Sequence, residues 1–210
     1  MSYFDSFQVA AMIVFLIVFL GRTLYLRFRK HINPMTLGVG KKGLRQIVEF
    51  TFFAGLLVWI LEVLFYALNA PFRIFPPPLD AQLVNSLPVK VIVIALITIS
   101  FIIFIWSLIS FRDAWRVGID KKTPGDLVTT GIFSVTRNPI FIFVDLYFVG
   151  TFLVNGTLIF LIFAVVVVIG LHYQMILEET HLKAAYGKAY QTYCAKTGRY
   201  VGQRRISDSG

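Results

Sequence analysis

The chain has 210 residues, of which 57% are hydrophobic and only 15% charged, with 21 phenylalanines and a mean hydropathy of +0.76. That composition excludes an ordinary soluble domain and places the chain among integral membrane proteins. The net charge of +9 is clustered in a few blocks, which argues for wet loops beside a membrane rather than for a nucleic-acid partner.

In chain order, Ser6 to Leu20 is free of charge and is followed by Arg22, Arg27, Arg29 and Lys30. A signal peptide would carry its positive charge before the apolar core. Here only Asp5 precedes it, so the segment is expected to be an uncleaved first span. A second span is expected over about 50–70, carrying Glu62, and a third over about 89–111, where positions 91–111 hold no charge. Between them, PFRIFPPPL and Pro88 predict an ordered outer loop without a helix. From 139 to 177 only Asp145 and His172 interrupt an apolar run of thirty-nine residues, with Asn155-Gly156 near its middle. The run is twice the ~20 residues of one crossing and Asn-Gly is a turn signal, so the expectation is two helices joined by a tight bend. The first arm, 139–154, is short.

This five-span topology puts 18 of the 20 basic residues on one side, in the blocks 22–47 and 112–137 and in the tail from 183, leaving Arg73 and Lys90 opposite. The positive-inside rule then sets the N-terminus outside and the C-terminus in the cytoplasm. Cys194 is the single cysteine, so no intramolecular disulfide is expected, and three scattered histidines without a paired spacing give no metal site.

Four polar groups share the cytoplasmic face in this topology: WRVGID at 115–120, LVTTGIFSVTRNP at 127–139, Glu178-Glu179, and the tail with Tyr186, Tyr190, Tyr193 and Arg199. Singly, each has a structural reading: Trp115 and Arg116 as an interfacial anchor, Arg137 as a snorkelling cation, Asn138-Pro139 as a helix start, the tyrosines as a headgroup belt. The adjacent carboxylates are harder to place, because they repel one another at the end of a membrane helix and call for a cation. Arg137, Arg199 or a charged amine of a ligand would supply it.

LVTTGIFSVTRNPIF, then a helical hairpin, then EExxLxxxxGxxYxxYxxxxxRY resembles the isoprenylcysteine carboxyl methyltransferase family and its bacterial and archaeal relatives, including phospholipid methyltransferases. WRVGID looks like the bacterial branch. The resemblance covers roughly 112–201 and implies an all-α membrane enzyme of about five transmembrane helices, using S-adenosylmethionine in a cytoplasm-facing pocket closed by the C-terminal tail. It divides the chain into three N-terminal spans (1–111) and a catalytic region (112–210). By residue, it implies cofactor contacts at Leu127, Val128, Phe133, Asn138, Pro139, Ile140, Phe141 and Glu178, to which the neighbouring Arg137 is added as a candidate, and it places Gln174 where the prenylcysteine enzymes have a substrate-contacting arginine. Asn138 stands where those enzymes have histidine; both departures weaken a carboxylate acceptor.

S-adenosylmethionine presents a carboxylate, an ammonium, a sulfonium and an adenine, so an amide or guanidinium, a carboxylate and an aromatic slot suit it. The acceptor is expected to be lipophilic, a prenylcysteine-like carboxylate or a lipid amine, thiol or hydroxyl, entering from the bilayer of a prokaryotic inner membrane. Glu179 or a nearby tyrosine is the candidate general base for a protonated acceptor, and Arg199 a clamp on the cofactor or the fold. Two other classes compete: an NADPH-dependent reductase of the sterol type, and a transporter or scaffold whose basic loops bind anionic lipid.

Overall fold

A computed structural model describes residues 2–31, 44–111 and 127–202, the side chains of 44–49 and 52 excepted. Five helices make up the described chain: α1 (Tyr3–Arg29), α2 (Leu44–Ala67), α3 (Leu87–Phe111), α4 (Pro139–Asn155) and α5 (Leu158–Lys196). Among the described residues the β-type pairing is a lone bridge between Gln82 and Thr157. Helices α1, α3 and α5 are long and apolar enough to cross a membrane; α4, at 17 residues, and the apolar part of α2, 53–67, are shorter. The all-α membrane architecture expected from composition is the one observed.

Local chemistry explains the boundaries. Helix α1 opens on a reciprocal cap, the Asp5 amide donating to Ser2 Oγ (3.2 Å) and the Ser2 amide to Asp5 Oδ2 (2.6 Å), and closes on Arg27 and Arg29, the charge its last turn favours. Helix α4 opens on Pro139 and stops at Gly156, whose φ of +70° is the left-handed conformation that ends helices. Large apolar side chains on α1, α3 and α5, among them Ile17, Ile92, Ile109 and Ile169, stay exposed. In a bilayer those faces meet acyl chains.

Aromatic rings fill the interior between the helices. Phe104 of α3 stacks on Phe143 of α4 at 4.4 Å, and Trp59 of α2 stacks on Phe148 of α4 at 4.3 Å. At Gly150 helices α3 and α4 pack tightly, since a Cβ there would lie 2.6 Å from Ile97 Cγ1.

The 68–86 connection is ordered as expected, with one 3-10 turn at Pro77–Asp80. Glu62, fully buried, reaches it: Oε2 accepts the Ile74 amide at 3.2 Å. Tyr66 donates to Asp80, and the Arg73 guanidinium lies 4.3 Å from the Tyr66 ring centre. The loop also seals the α4–α5 bend, since the Gly156 carbonyl accepts the Leu83 (2.7 Å) and Val84 (3.0 Å) amides. The opposite end of the hairpin is thereby left to build the site.

Helix α5 has 39 residues, about 58 Å at 1.5 Å per residue. Its apolar part, 158–177, is one crossing; from Glu178 it is polar and continues beyond the membrane segment. At Gly187 the backbone leaves helical geometry (φ 52°, ψ −122°), which redirects the last turns. Tyr190 and Tyr193 are carried back over the mouth of the hairpin.

Candidate functional site

The site begins with a loop pinned to α3. Gly131 has φ +64°, and a Cβ there would collide with Ser110 Oγ; that hydroxyl lies 3.4 Å from the Ile132 amide, which donates to it. The tight fit turns the chain into a 3-10 turn at Gly131–Ser134 and buries Ile132 and Phe133. The Phe133 ring meets Phe111 edge-on at 4.5 Å, and its carbonyl accepts the Tyr193 hydroxyl at 2.6 Å. Leu127 and Val128 pack against the same cluster of Ile132, Phe133, Tyr190 and Tyr193. An apolar, aromatic wall is thus assembled from residues some sixty positions apart in sequence.

Beside that wall the tail is stitched to the entrance of α4 by backbone hydrogen bonds. The Arg137 amide donates to the Gly198 carbonyl (3.0 Å), the Gly198 amide to the Gly202 carbonyl (2.7 Å), and the Gly202 amide to the Val135 carbonyl (3.3 Å). Side chains reinforce the seam. Asn138 Nδ2 donates to the Arg199 carbonyl (3.1 Å) and to Glu179 Oε1 (3.2 Å), and Thr136 Oγ1 donates to the Arg199 carbonyl (3.2 Å).

Glu179 is the hub of this seam. Arg137 Nη2 approaches Oε1 at 2.9 Å and Arg199 Nη2 approaches Oε2 at 2.8 Å. Arg137 also donates through Nη1 to the carbonyls of Cys194 (3.3 Å) and Thr197 (3.1 Å). Burial alone would push the Glu179 carboxyl up, but the hydrogen bonds from Arg199 and Arg137, the Arg137 charge and the Asn138 amide together hold it below the ordinary carboxylate value. The same contact with Glu179 raises Arg199 further above its already high value.

Glu178 has the opposite environment. It is half-buried, and among the described residues no cation or donor is paired with it. Burial, and then the Glu179 charge, push its carboxyl up to about 7. Of two adjacent carboxylates, one is saturated by two arginines and an amide, and the other has no counter-ion among the described residues.

Residues 89–189 match the profile of the phospholipid methyltransferase family. Over that stretch, just under half of its length, the chain is similar to the phospholipid methyltransferases. No curated protein and no solved structure matches the chain. The matched stretch runs from the first turn of α3 through the hairpin and past Gly187, so it includes the Leu127, Val128 and Phe133 side of the aromatic wall, Arg137, Asn138 and both glutamates, while Tyr190 and Tyr193 fall just beyond it. Arg199 and Tyr200 lie beyond it but are bonded to it. The family is related to the isoprenylcysteine carboxyl methyltransferases, as the motif order implies, and a membrane methyltransferase is the activity it supports.

The residues named from sequence gather at one end of the α4–α5 hairpin. Arg137, Asn138, Glu179 and Arg199 form one bonded network, Leu127, Val128 and Phe133 the neighbouring wall, and Pro139, Ile140 and Phe141 the first turn of α4. Gln174 sits one turn before Glu178 on α5. WRVGID at 115–120 lies outside the described residues. Glu179, expected as a general base, has both oxygens engaged, so among the described residues the carboxylate of the pair without a bonded partner is Glu178. A cleft of about 330 Å³ between the two parts of α5 is lined by Lys183, Tyr190, Gln191, Cys194 and Ala195 and contains none of the expected cofactor residues.

Sequence reasoning missed the pairing of His172 with Tyr200. The Tyr200 hydroxyl meets His172 Nδ1, and the two rings stack with centres 6.0 Å apart. The signal was present in the RY that ends the tail motif, but its partner depends on how far the tail folds back. Thr136 and the Cys194 carbonyl were missed for a similar reason, since they act through generic backbone and hydroxyl bonds.

Proposed function

We propose that this chain transfers a methyl group from S-adenosylmethionine to a lipophilic acceptor that reaches the cofactor from the bilayer. The observation that carries the reading is the divided glutamate pair: Glu178, half-buried and without a counter-ion among the described residues, stands beside a fully neutralised Glu179 within the stretch similar to phospholipid methyltransferases. Glu178 would receive the ammonium of S-adenosylmethionine, and the wall of Leu127, Val128 and Phe133 would take its adenine. Pro139, Ile140 and Phe141, in the first turn of α4, would border the cofactor from that side. Gln174, one turn deeper, is assigned to the acceptor.

When bound, S-adenosylmethionine supplies an electrophilic methyl group on a sulfonium. The chain's part is to align the acceptor and exclude water. Arg137, Asn138, Glu179 and Arg199 are assigned as positioning residues that hold the tail against α4. On this proposal the catalytic region is 112–210, with α3 as a supporting wall. The 18 basic residues gathered in three blocks support a cytoplasmic face for the site and an outside N-terminus in a prokaryotic inner membrane.

Calorimetric titration of the detergent-purified protein with S-adenosylmethionine, and separately with NADPH, tests the reading. Saturable binding of S-adenosylmethionine is expected, weakened at least tenfold by Glu178→Ala with helical content unchanged. Binding of NADPH alone would move the chain to the reductases. Silence with both ligands would favour the transporter or scaffold.

A further inference from the structure

Beyond Glu179 the tail carries charge of one sign. From 180 to 202 the sequence holds Lys183, Lys188, Lys196 and Arg199 and no acidic residue. The two arms of α5, before and after the bend at Gly187, enclose the cleft of about 330 Å³ lined by Lys183, Tyr190, Gln191, Cys194 and Ala195. That volume is at the small end of the range for ligand sites, and no residue assigned to the cofactor or the acceptor borders it.

Two observations mark the cleft as a place for a ligand. Tyr190 is 3% exposed, and its hydroxyl is buried with no hydrogen-bond partner among the described residues. Burial, and then the charges of Glu179 and Cys194, raise that hydroxyl above its ordinary value. It therefore keeps its proton and is a donor without an acceptor. Cys194 is the single cysteine of the chain, a free and half-buried thiol, and its effect on Tyr190 places it beside that hydroxyl. A nucleophile, an unmet donor and the Lys183 ammonium thus line one cleft.

We infer that this cleft is a redox modification site, in which Cys194 forms a reversible mixed disulfide with a small anionic thiol compound and the adduct loosens the tail. The incoming small disulfide is the oxidant. Cys194 Sγ gives up its proton and attacks one of its sulfurs; the new S–S bond forms as the old one breaks, and the departing thiolate takes up a proton. Attack by a second thiol restores Cys194. Lys183 supplies the charge that draws in an anionic disulfide, and the Tyr190 hydroxyl a donor for its carboxylate. A thiol exchanged in this way on a cytoplasmic face is transient and regulatory.

The adduct acts on the fold through the backbone. The Cys194 carbonyl accepts Arg137 Nη1 at 3.3 Å, and Tyr190 and Tyr193 belong to the aromatic wall with Phe133. A group wedged beside Cys194 parts the arms of α5 and draws that carbonyl away from the guanidinium. Its effect on cofactor binding rests on the methyltransferase reading; the modification itself does not.

The test exposes the full-length, detergent-purified protein to oxidised glutathione, an anionic disulfide, and separately to cystamine, a cationic one, and follows adducts by intact mass. With one cysteine in the chain, every adduct reports on Cys194. Relative to the chain unfolded in guanidinium chloride, the folded protein is expected to favour oxidised glutathione over cystamine at least tenfold in rate. Lys183→Gln should remove most of that preference and Lys183→Arg should keep it, at equal helical content. The glutathione adduct should melt at a lower temperature than the free protein and recover with dithiothreitol. No adduct on the folded protein, no charge preference, or a preference untouched by Lys183→Gln overturns the site, and an unchanged melting temperature overturns its action on the tail. Should the adduct form as described while calorimetry shows no S-adenosylmethionine binding, the site stands and the methyltransferase reading fails. Cofactor binding with an unreactive Cys194 sinks the site alone.

Discussion

At the scale of the residue, the two adjacent glutamates show how one step of α5 separates two roles. Glu179 points into a set of three donors and stays ionised; Glu178 points away from them. Because the Glu178 carboxyl is raised from 4.5 to about 7, ionising it in the free protein is unfavourable, and its contribution to stability declines as pH rises through that window. A cation bound there favours the ionised form. Affinity for S-adenosylmethionine is therefore expected to rise as pH goes from 6 to 8 and to level off above, approaching tenfold per unit at the acid end. Titration calorimetry in buffers of different ionisation enthalpy would reveal it as proton release, and a flat profile would remove Glu178 from the ammonium site. The Glu179 network has the opposite sign: its contribution is complete above the ordinary carboxylate range and is lost as pH falls through the lowered value.

Arg137 and Arg199 are unequal partners of Glu179. The Arg137 side chain is 8% exposed and bonds two tail carbonyls besides the carboxylate, whereas Arg199 is 37% exposed. Removing the buried partner of such a pair costs about 3–5 kcal/mol, while a solvent-screened one contributes roughly 1 kcal/mol or less. Arg137→Ala should therefore lower the thermal midpoint in detergent far more than Arg199→Ala. Arg137→Lys should restore only a part, since a lysine cannot span the carboxylate and both carbonyls. Equal effects of the two alanine variants would contradict the network as described.

At the scale of the element, the hairpin and the bend in α5 each depend on one glycine, for different reasons. At Gly156 the left-handed φ is joined by a lack of space, because a Cβ would collide with the Val84 carbonyl and the Gln82 side chain. At Gly187 nothing lies within 4 Å of the place an alanine methyl would occupy, so only the backbone resists. Gly187→Ala is expected to cost about 1–3 kcal/mol, because its φ and ψ are ones that only glycine adopts readily, and Gly156→Ala more than that, measured as loss of thermal stability in the same detergent. The hairpin was legible in sequence because Asn155-Gly156 is a local signal at the midpoint of an apolar run. The bend at Gly187 was not, since a glycine within a polar helix has several uses. Glu62 likewise offered no partner on paper, because what it holds is the backbone amide of Ile74, and a backbone amide leaves no mark in sequence.

At the scale of the whole molecule, composition and the spacing of apolar runs were enough to lay out five helices, and the pairing of opposite charges was enough to point Arg137 and Arg199 to the glutamate pair, of which Glu179 takes both. The path of the tail was not legible. It is set by amides and carbonyls between 135–137 and 198–202, and these bonds decide that Tyr200 reaches His172. The consequence of the short α4 is of another kind. Its 17 residues span about 26 Å, less than the ~30 Å hydrocarbon layer of a typical bilayer. A bilayer that conforms to it dimples, drawing its headgroups inward along this one helix. Lifting a sixteen-carbon chain into water would cost on the order of ten kcal/mol at ~0.8 kcal/mol per methylene. With the surface dipping to meet the hairpin, a lipid can be modified where it already lies, its tails never leaving oil.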